Sequence, residues 1–462
     1  MNTIKFAGEY EISDMRIYSA SGNIVDVSVM YQALNIYENM FSNIVTGSIL
    51  LADTDSLLMN LPITGQEFLS FKITTPGLEN VPIDYTKNLM CIYKIDKRVA
   101  DQGNEVIKLH FCSPEGLRNE RTRLSKSYTN TIDKIVENVL KDRKALNTNK
   151  NIFIEPTAGI KRIISPNKNP YSLIRDLTID AISKDGSPNF VFYENTSGIH
   201  FRTLESIYAK SSIGDYIASD RNFIPMENGV SNVEEDMKRV LDYEIVTNND
   251  TRKHIKSGML ASKTISYNIF NKEVQVESHD YFSDFNKYMR VSGSKSNDNP
   301  IYSASFVDDG GNTLGDFKDA RIFLHSVSKN SSDKNTEHYD DTNAIYEPNK
   351  LGKTISQKFA KNTELEFGVK VNMEINGNTT VNVGSIIDFQ MPITGRDHEG
   401  DVFDKYHTGK FLITKTRHSF EKLGRRHKIY LSAVKDSYNT KLPKPIQDAA
   451  EPRGTKGVKI EI

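Results

Sequence analysis

The chain of 462 residues has no tryptophan and only two cysteines, Cys91 and Cys112. A framework of disulfides is therefore excluded, and in a cytoplasmic product the two are expected to be buried thiols on neighbouring strands. Long apolar runs are missing as well. No segment approaches about 18 consecutive apolar residues, and the N-terminus lacks a basic start followed by an apolar stretch. The expectation is a soluble chain made in the cytoplasm, with no membrane segment. An excess of one charge is also absent: 59 Lys and Arg stand against 60 Asp and Glu, a net charge of −1. That balance gives no footing to bulk electrostatic binding of nucleic acid. Finally, there is no Gly-x-Ser-x-Gly, no Gly-x-x-x-x-Gly-Lys-Ser or Thr, no His-Glu-x-x-His and no Cys-x-x-Cys. No catalytic residue, metal ligand or cofactor is assigned.

What the chain does have is 21 tyrosines and 22 phenylalanines, set among β-branched residues. Two segments 320 residues apart, 90–111 and 410–431, read as the same β-hairpin: two apolar-alternating runs around a polar, glycine-containing turn. Cys91, Tyr93, Leu109 and Phe111 fall in the phase of Phe411, Ile413, Ile429 and Leu431. With a side-chain period of 2, both hairpins should bury the same side. Upstream, Gly65-Gln-Glu-Phe-Leu-Ser-Phe-Lys-Ile and Gly384-Ser-Ile-Ile-Asp-Phe-Gln-Met-Pro, offset by 319, each look like a strand entered through a glycine turn. Ile44-Val-Thr-Gly47-Ser-Ile-Leu resembles Ile255-Lys-Ser-Gly258-Met-Leu at an offset of only 211. The difference, 319 − 211 = 108 residues, is the length of an inserted domain. Gly47, Gly65, Gly258 and Gly384 are predicted turn positions, where a side chain clashes if φ is positive.

The division expected is a mainly β chain with α+β character. Residues 1–115 form a first small barrel or closed sandwich, with a short helix between Asp53 and Pro62. Residues 116–210 form an α+β domain. Its first helix carries apolar residues at 132, 135, 136, 139 and 140, its second helix follows Asn169-Pro170, and a hairpin turns at Thr196-Ser-Gly. Residues 211–274 and 351–437 form the second β-domain, interrupted by an inserted domain at 275–350. Residues 438–462, with Leu442, Pro443, Pro445 and Pro452, form an extended C-terminal arm ending at Ile462.

Three places tempt a chemical reading. In the shared register His418 and His427 lie on opposite faces of their hairpin and point apart, so no metal pair is expected there. The acidic run at 397–404 lacks the alternating ligands of a calcium loop and reads as a hairpin loop. Gly310, Gly311 and Gly315 follow no clear strand and do not make a phosphate loop.

Three stretches carry a family resemblance. They are Asn189-Phe-Val-Phe-Tyr-Glu-Asn-Thr-Ser-Gly-Ile-His-Phe-Arg-Thr-Leu, then Gly409-Lys-Phe-Leu-Ile-Thr-Lys-Thr-Arg-His-Ser-Phe, then Ala433-Val-Lys-Asp-Ser-Tyr with Leu442-Pro after it. In this order, over nearly the whole length, the chain resembles the central baseplate hub proteins of contractile-tailed bacteriophages, relatives of the N-terminal hub part of type VI secretion spike proteins. The resemblance implies two tube-type barrels per chain and a homotrimer with six barrels in a pseudo-sixfold ring. It implies a hexameric tail tube on one side, a trimeric spike from a separate polypeptide on the other, possible baseplate wedge contacts, and DNA passing the lumen without sequence-specific binding. The location implied is the virion, at the centre of the tail baseplate, after assembly in the host cytoplasm. No enzyme activity and no cofactor are implied. The arm from Leu442 to Ile462 is the candidate contact to the spike or a neighbouring hub chain. Two other readings stand beside this one. A type VI or tailocin-like hub would be separated by genome neighbours, and a tail-associated cell-wall hydrolase by a zymogram.

Overall fold

The computed structural model describes residues 4–19, 22–53, 63–101, 104–218, 233–247, 250–268, 272–293, 298–303, 312–317, 319–327, 348–393 and 403–442. The helix expected between Asp53 and Pro62 lies outside them.

The first unit is built from β1 (Glu11–Tyr18), β2 (Ile24–Asp26), β3 (Tyr31–Asn39), β4 (Thr46–Asp53), β5 (Phe68–Thr74), β6 (Ile83–Asp84), β7 (Met90–Asp101) and β8 (Asn104–Cys112). Apolar residues at every second position give each strand one inward face, so Leu34, Ile36, Ile49, Leu69, Phe71, Ile73, Leu109 and Phe111 share one core. The strands run antiparallel in the order β2-β1-β5-β7-β8-β4-β3. Cys91 and Cys112 face each other across β7 and β8 as buried free thiols.

An α+β unit follows. It holds β9 (Ser127–Thr131), β10 (Ile152–Ile154), β11 (Ile160–Ile164), β12 (Phe190–Asn195) and β13 (Gly198–Thr203), with helices at Pro114–Arg121, Ile132–Lys141 and Pro170–Asp180. The helix Ile132–Lys141 buries Ile132, Ile135, Val136, Val139 and Leu140, the stripe its 3.6-residue period requires. The hairpin β12–β13 closes at Asn195 and Gly198.

The second barrel starts with β14 (Ser212–Ala218) and β15 (Arg239–Thr247). The chain then leaves the barrel for a three-stranded sheet of β16 (Ala261–Asn268), β17 (Glu273–Asp280) and β18 (Ile322–Val327), backed by the helix Pro348–Phe367. It returns with β19 (Val369–Asn376), β20 (Ile386–Gln390), β21 (Gly409–Glu421) and β22 (Arg426–Lys435). These close a six-stranded barrel in the cyclic order β14-β20-β21-β22-β19-β15. The first unit repeats that order as β1-β5-β7-β8-β4-β3, with the two long hairpins in corresponding places. Two pairings differ: β14 is parallel to β20, whereas β1 is antiparallel to β5, and β14 pairs with β15 to close the second barrel, whereas β1 and β3 do not pair among the described residues.

This topology corrects the repeat at two points. The counterpart of β4 is β19, since each lies beside the second strand of its hairpin. The segment around Gly258 is instead the end of a helix, Thr251–Ser257, which Gly258 caps in the left-handed conformation at φ 85°. Ile255 and Gly258 matched a strand pattern by spacing alone, and a glycine just past a helix is the ordinary C-terminal stop. For the same reason β16, placed in the second barrel by the boundary at 274, belongs to the inserted sheet, and one helix crosses the boundary at 351.

The two barrels are joined through β21. Its residues from Gly409 to Leu412 bond to β20, and those from Lys415 to Glu421 bond to β3 of the first unit. A bulge between Ile413 and Lys415 separates the two stretches. The result is one continuous sheet of 14 strands. A bulge also occurs in β7, between Ile92 and Lys94, at the matching place of the first hairpin. The register also corrects the expected phase: Ile92, not Cys91, stands opposite Phe111 and shares the core with Met90 and Leu109, while Cys91, opposite Cys112, and Tyr93, 44% exposed, lie off that face.

Candidate assembly surface and its buried charge clusters

The described residues meet at seams, and each seam is held by charge taken out of water. At the first, Glu38 on β3 continues the inward phase of Leu34 and Ile36 and is only 2% exposed. Its carboxylate accepts from the backbone N–H of Thr196 at 2.6 Å, the N–H of Val383 at 2.8 Å and the hydroxyl of Thr416 at 3.0 Å. One side chain thereby ties the first unit to the β12–β13 turn and to the second barrel. Burial pushes its pKa up, against the three donors that favour the charged form.

The second seam joins the first unit to the α+β unit, since Glu194 Oε2 accepts the backbone N–H of Val45 at 3.3 Å. Lys150 Nζ lies 2.7 Å from Glu115 Oε2 and 2.6 Å from Glu194 Oε1. Thr148 donates to Glu115 at 2.6 Å, and Ser113 donates to Glu194 at 2.7 Å. Burial opposes ionisation of Glu115, yet the Lys150 charge outweighs it and holds that carboxyl low; at Glu194 burial wins and the pKa is raised. The third seam binds the insertion to the end of β22. Arg290 sits 2.9 Å from Glu364 Oε2 and stacks 3.7 Å over the Phe285 ring, while Lys361 reaches Glu364 at 3.0 Å and Asp436 at 3.3 Å. Asp436 also accepts the backbone N–H of Val291 at 3.1 Å. Removing one partner from the Lys150 or Arg290 cluster leaves a buried charge unpaired, at a cost of about 3–5 kcal/mol.

Histidines 418 and 427 do not point apart. Thr414 is the extra residue of the β21 bulge, so the buried phase passes from Phe411 and Ile413 to Thr416, His418 and Phe420. His418 then shares a face with His427, both fully buried, with Nδ1 and Nε2 3.1 Å apart and the His427 ring 4.1 Å from that of Phe420. Burial lowers the His418 pKa to about 4 and that of His427 well below its ordinary value. Among the described residues no group of three or more His, Cys, Asp or Glu is placed to hold a metal ion.

The four glycines fall in different settings. Gly384 has φ 83° and its α-carbon faces the buried Tyr193 hydroxyl, beside the Glu38 seam. Gly65 has φ 85° with its nearest neighbour, the Tyr93 carbonyl, 3.5 Å from an added Cβ. Gly258 lies in the insertion against Arg321. Gly47 is not at a turn. It sits inside β4 opposite Phe111, and the reason for glycine is the Phe111 ring lying over it. Of the arm, Leu442 packs on the second-barrel core, while Pro443, Pro445, Pro452 and Ile462 lie outside the described residues.

The outer face of β3, β21, β22, β19 and β15 crosses both barrels and carries an open groove of about 560 Å³. Tyr37, Tyr243 and Tyr430 line it, with the Arg417 guanidinium 5.2 Å from the Tyr430 ring. The charge clusters were not signalled by any motif. Only Glu38 had a sequence trace, an acid in the inward phase of an apolar strand.

This fold is shared with solved structures. A tail protein from Neisseria meningitidis MC58 superposes with a TM-score of 0.50 at 8% identity, covering 93% of this chain and 97% of its own. The 43 kDa tail protein of prophage MuSo2 from Shewanella oneidensis gives a TM-score of 0.50 at 9% identity, over 92% of this chain and 98% of its own. The chain has a phage tail protein fold. A type VI secretion component of E. coli aligns over 92% of this chain and 76% of its own at 10% identity, with a TM-score of 0.40, too loose to carry an argument. No family model and no curated protein matches the sequence. Among the described residues, no helix is long and apolar enough to cross a membrane.

Proposed function

We propose that this tail-fold chain is a structural hub at the centre of a contractile tail's baseplate, in which three copies close a ring of six barrels. The observation that carries the reading is the pair of six-stranded units with one strand order, fused through β21 into one sheet. Two related tube-type barrels times three chains give a pseudo-sixfold object, the geometry needed between a hexameric tail tube and a trimeric spike. The buried charge seams suit such a load-bearing part, since they hold units at fixed angles without catalysis. In this reading the C-terminal arm from Leu442 contacts the spike or a neighbouring hub chain, and wedge proteins surround the ring. DNA passes through without base recognition, in keeping with the net charge of −1. The particle sits in the virion after assembly in the host cytoplasm.

Light scattering on the purified chain over a concentration series tests this. The expected mass is three times 52.3 kDa. A monomer that stays monomeric when co-expressed with a trimeric spike protein from the same genome would overturn the proposal.

A further inference from the structure

The three-stranded sheet of the insertion is built inside out. Its packed face, toward the helix Pro348–Phe367, carries the buried Ser262, Thr264 and Ser266, with Thr264 hydrogen-bonded to Ser356. Phe323, opposite Thr264, also lies on that face, its ring 5.2 Å from that of Phe359, but most of the apolar residues lie on the open face. Ile265 stands opposite Val276 on one side and Leu324 on the other, Tyr267 opposite Val274, and Lys263 opposite Ile322. Residues directly opposite each other share a face, so these six apolar side chains form one patch. Val274 and Val276 are each 55% exposed, Ile322 53% and Leu324 82%. An apolar open face over a largely polar packed face is the reverse of the usual arrangement, and a contiguous patch of this kind marks a contact.

The size of the face selects its occupant. Three strands about 4.8 Å apart and six residues long make a surface of about 300 Å². A stable contact between two protein copies needs about 800 Å² from each side. The face is thus too small for a second copy and right for one short extended segment. The sequence contains such a segment. Val458, Ile460 and Ile462 alternate with Lys459 and Glu461, a one-sided apolar strand pattern. Its tether also begins nearby. Leu442 packs in the same cluster as Ile301, whose N–H donates to the Tyr281 hydroxyl at 3.2 Å, and Tyr281 directly follows Asp280, the end of β17. The 15 residues 443–457 span up to about 50 Å when extended, more than enough to turn back. A segment this short would bind weakly if free, but a flexible tether of that length gives an effective concentration in the millimolar range.

We propose that residues Val458, Ile460 and Ile462 of the same chain dock on the apolar face formed by Ile265, Tyr267, Val274, Val276, Ile322 and Leu324. This applies to the free chain and does not rest on the hub reading.

The test is a cross-link in the full chain carrying Leu324→Cys and Ile460→Cys, joined by a short bismaleimide, with the single variants reporting any background from Cys91 and Cys112. Most of the double variant should link within one chain. A second arm co-expresses one chain carrying only Leu324→Cys with another carrying only Ile460→Cys. An efficient link between those chains would overturn the proposal in favour of a neighbour's segment, and no link in either arm would overturn it outright. A chain shortened to residue 457 should also bind an apolar dye several-fold more strongly, an increase that Leu324→Asp removes. Unchanged dye binding would count against the docking. The outcome is independent of the mass by light scattering, so the two readings fail separately.

Discussion

At the scale of single residues, glycine serves two different needs in this chain. Gly65 satisfies a backbone need: φ is 85°, but an added Cβ would meet nothing closer than 3.5 Å. Gly384 combines φ 83° with the Tyr193 hydroxyl in the place a Cβ would occupy, at a seam with no room to give. Gly65→Ala should therefore cost about 1–2 kcal/mol, the left-handed penalty alone, whereas Gly384→Ala adds a buried collision and should cost clearly more. Thermal melts of the two variants check the ranking, and equal losses would contradict it. Gly47 shows why glycine runs mislead. Its sequence context suggested a turn, but the structure uses it in mid-strand because Phe111 crosses over it.

At the scale of an element, β21 decides most. Its bulge changes which side chains face inward, and that change brings His418 and His427 together in the core of the joint between barrels. A neutral pair can share one proton across the 3.1 Å contact, one ring donating and the other accepting. The sign of the pH effect follows from the lowered pKa values. In the unfolded chain the histidines take up protons near pH 6.5, while in the folded chain His418 does so only at about 4. Stability from this source is complete above about pH 6.5 and is lost as the pH falls toward 4. The shift at His418 alone corresponds to roughly 3 kcal/mol. Melting temperature should drop between pH 7 and pH 5, and the drop should flatten in a His418→Phe, His427→Leu variant that keeps the apolar packing. An identical pH profile for that variant would refute the assignment.

At the scale of the whole molecule, the first unit is not an independent barrel. Phe420 of β21 lies in its core, Tyr10 donates to the Glu421 carbonyl at 2.8 Å, and among the described residues the edge of β3 away from β4 is paired by β21. Residues 1–115 alone would lose the packing of a buried phenylalanine, worth about 3–5 kcal/mol, and would expose a β-strand edge that promotes aggregation. That fragment is expected to lack a cooperative melt by circular dichroism. A sharp transition would show that the two barrels are separable after all.

Much of this was legible in the sequence, because periodicity is local. Alternation of apolar residues at 90–111 and 410–431 determined both hairpins, the spacing at 132, 135, 136, 139 and 140 determined a helix, and their order determined the resemblance that the tail protein fold matches. The bulges at Ile92 and Ile413 were not legible, since one extra residue leaves the pattern of residue types intact while reversing which of them face inward. Nor were the seams at Glu38, Lys150 and Arg290, whose partners are brought together from as many as 378 positions apart. The sequence by itself determined which strands and helices exist, because those depend on neighbours along the chain. Only the tertiary structure decided how the barrels are joined and where charge is buried, because those depend on neighbours in space.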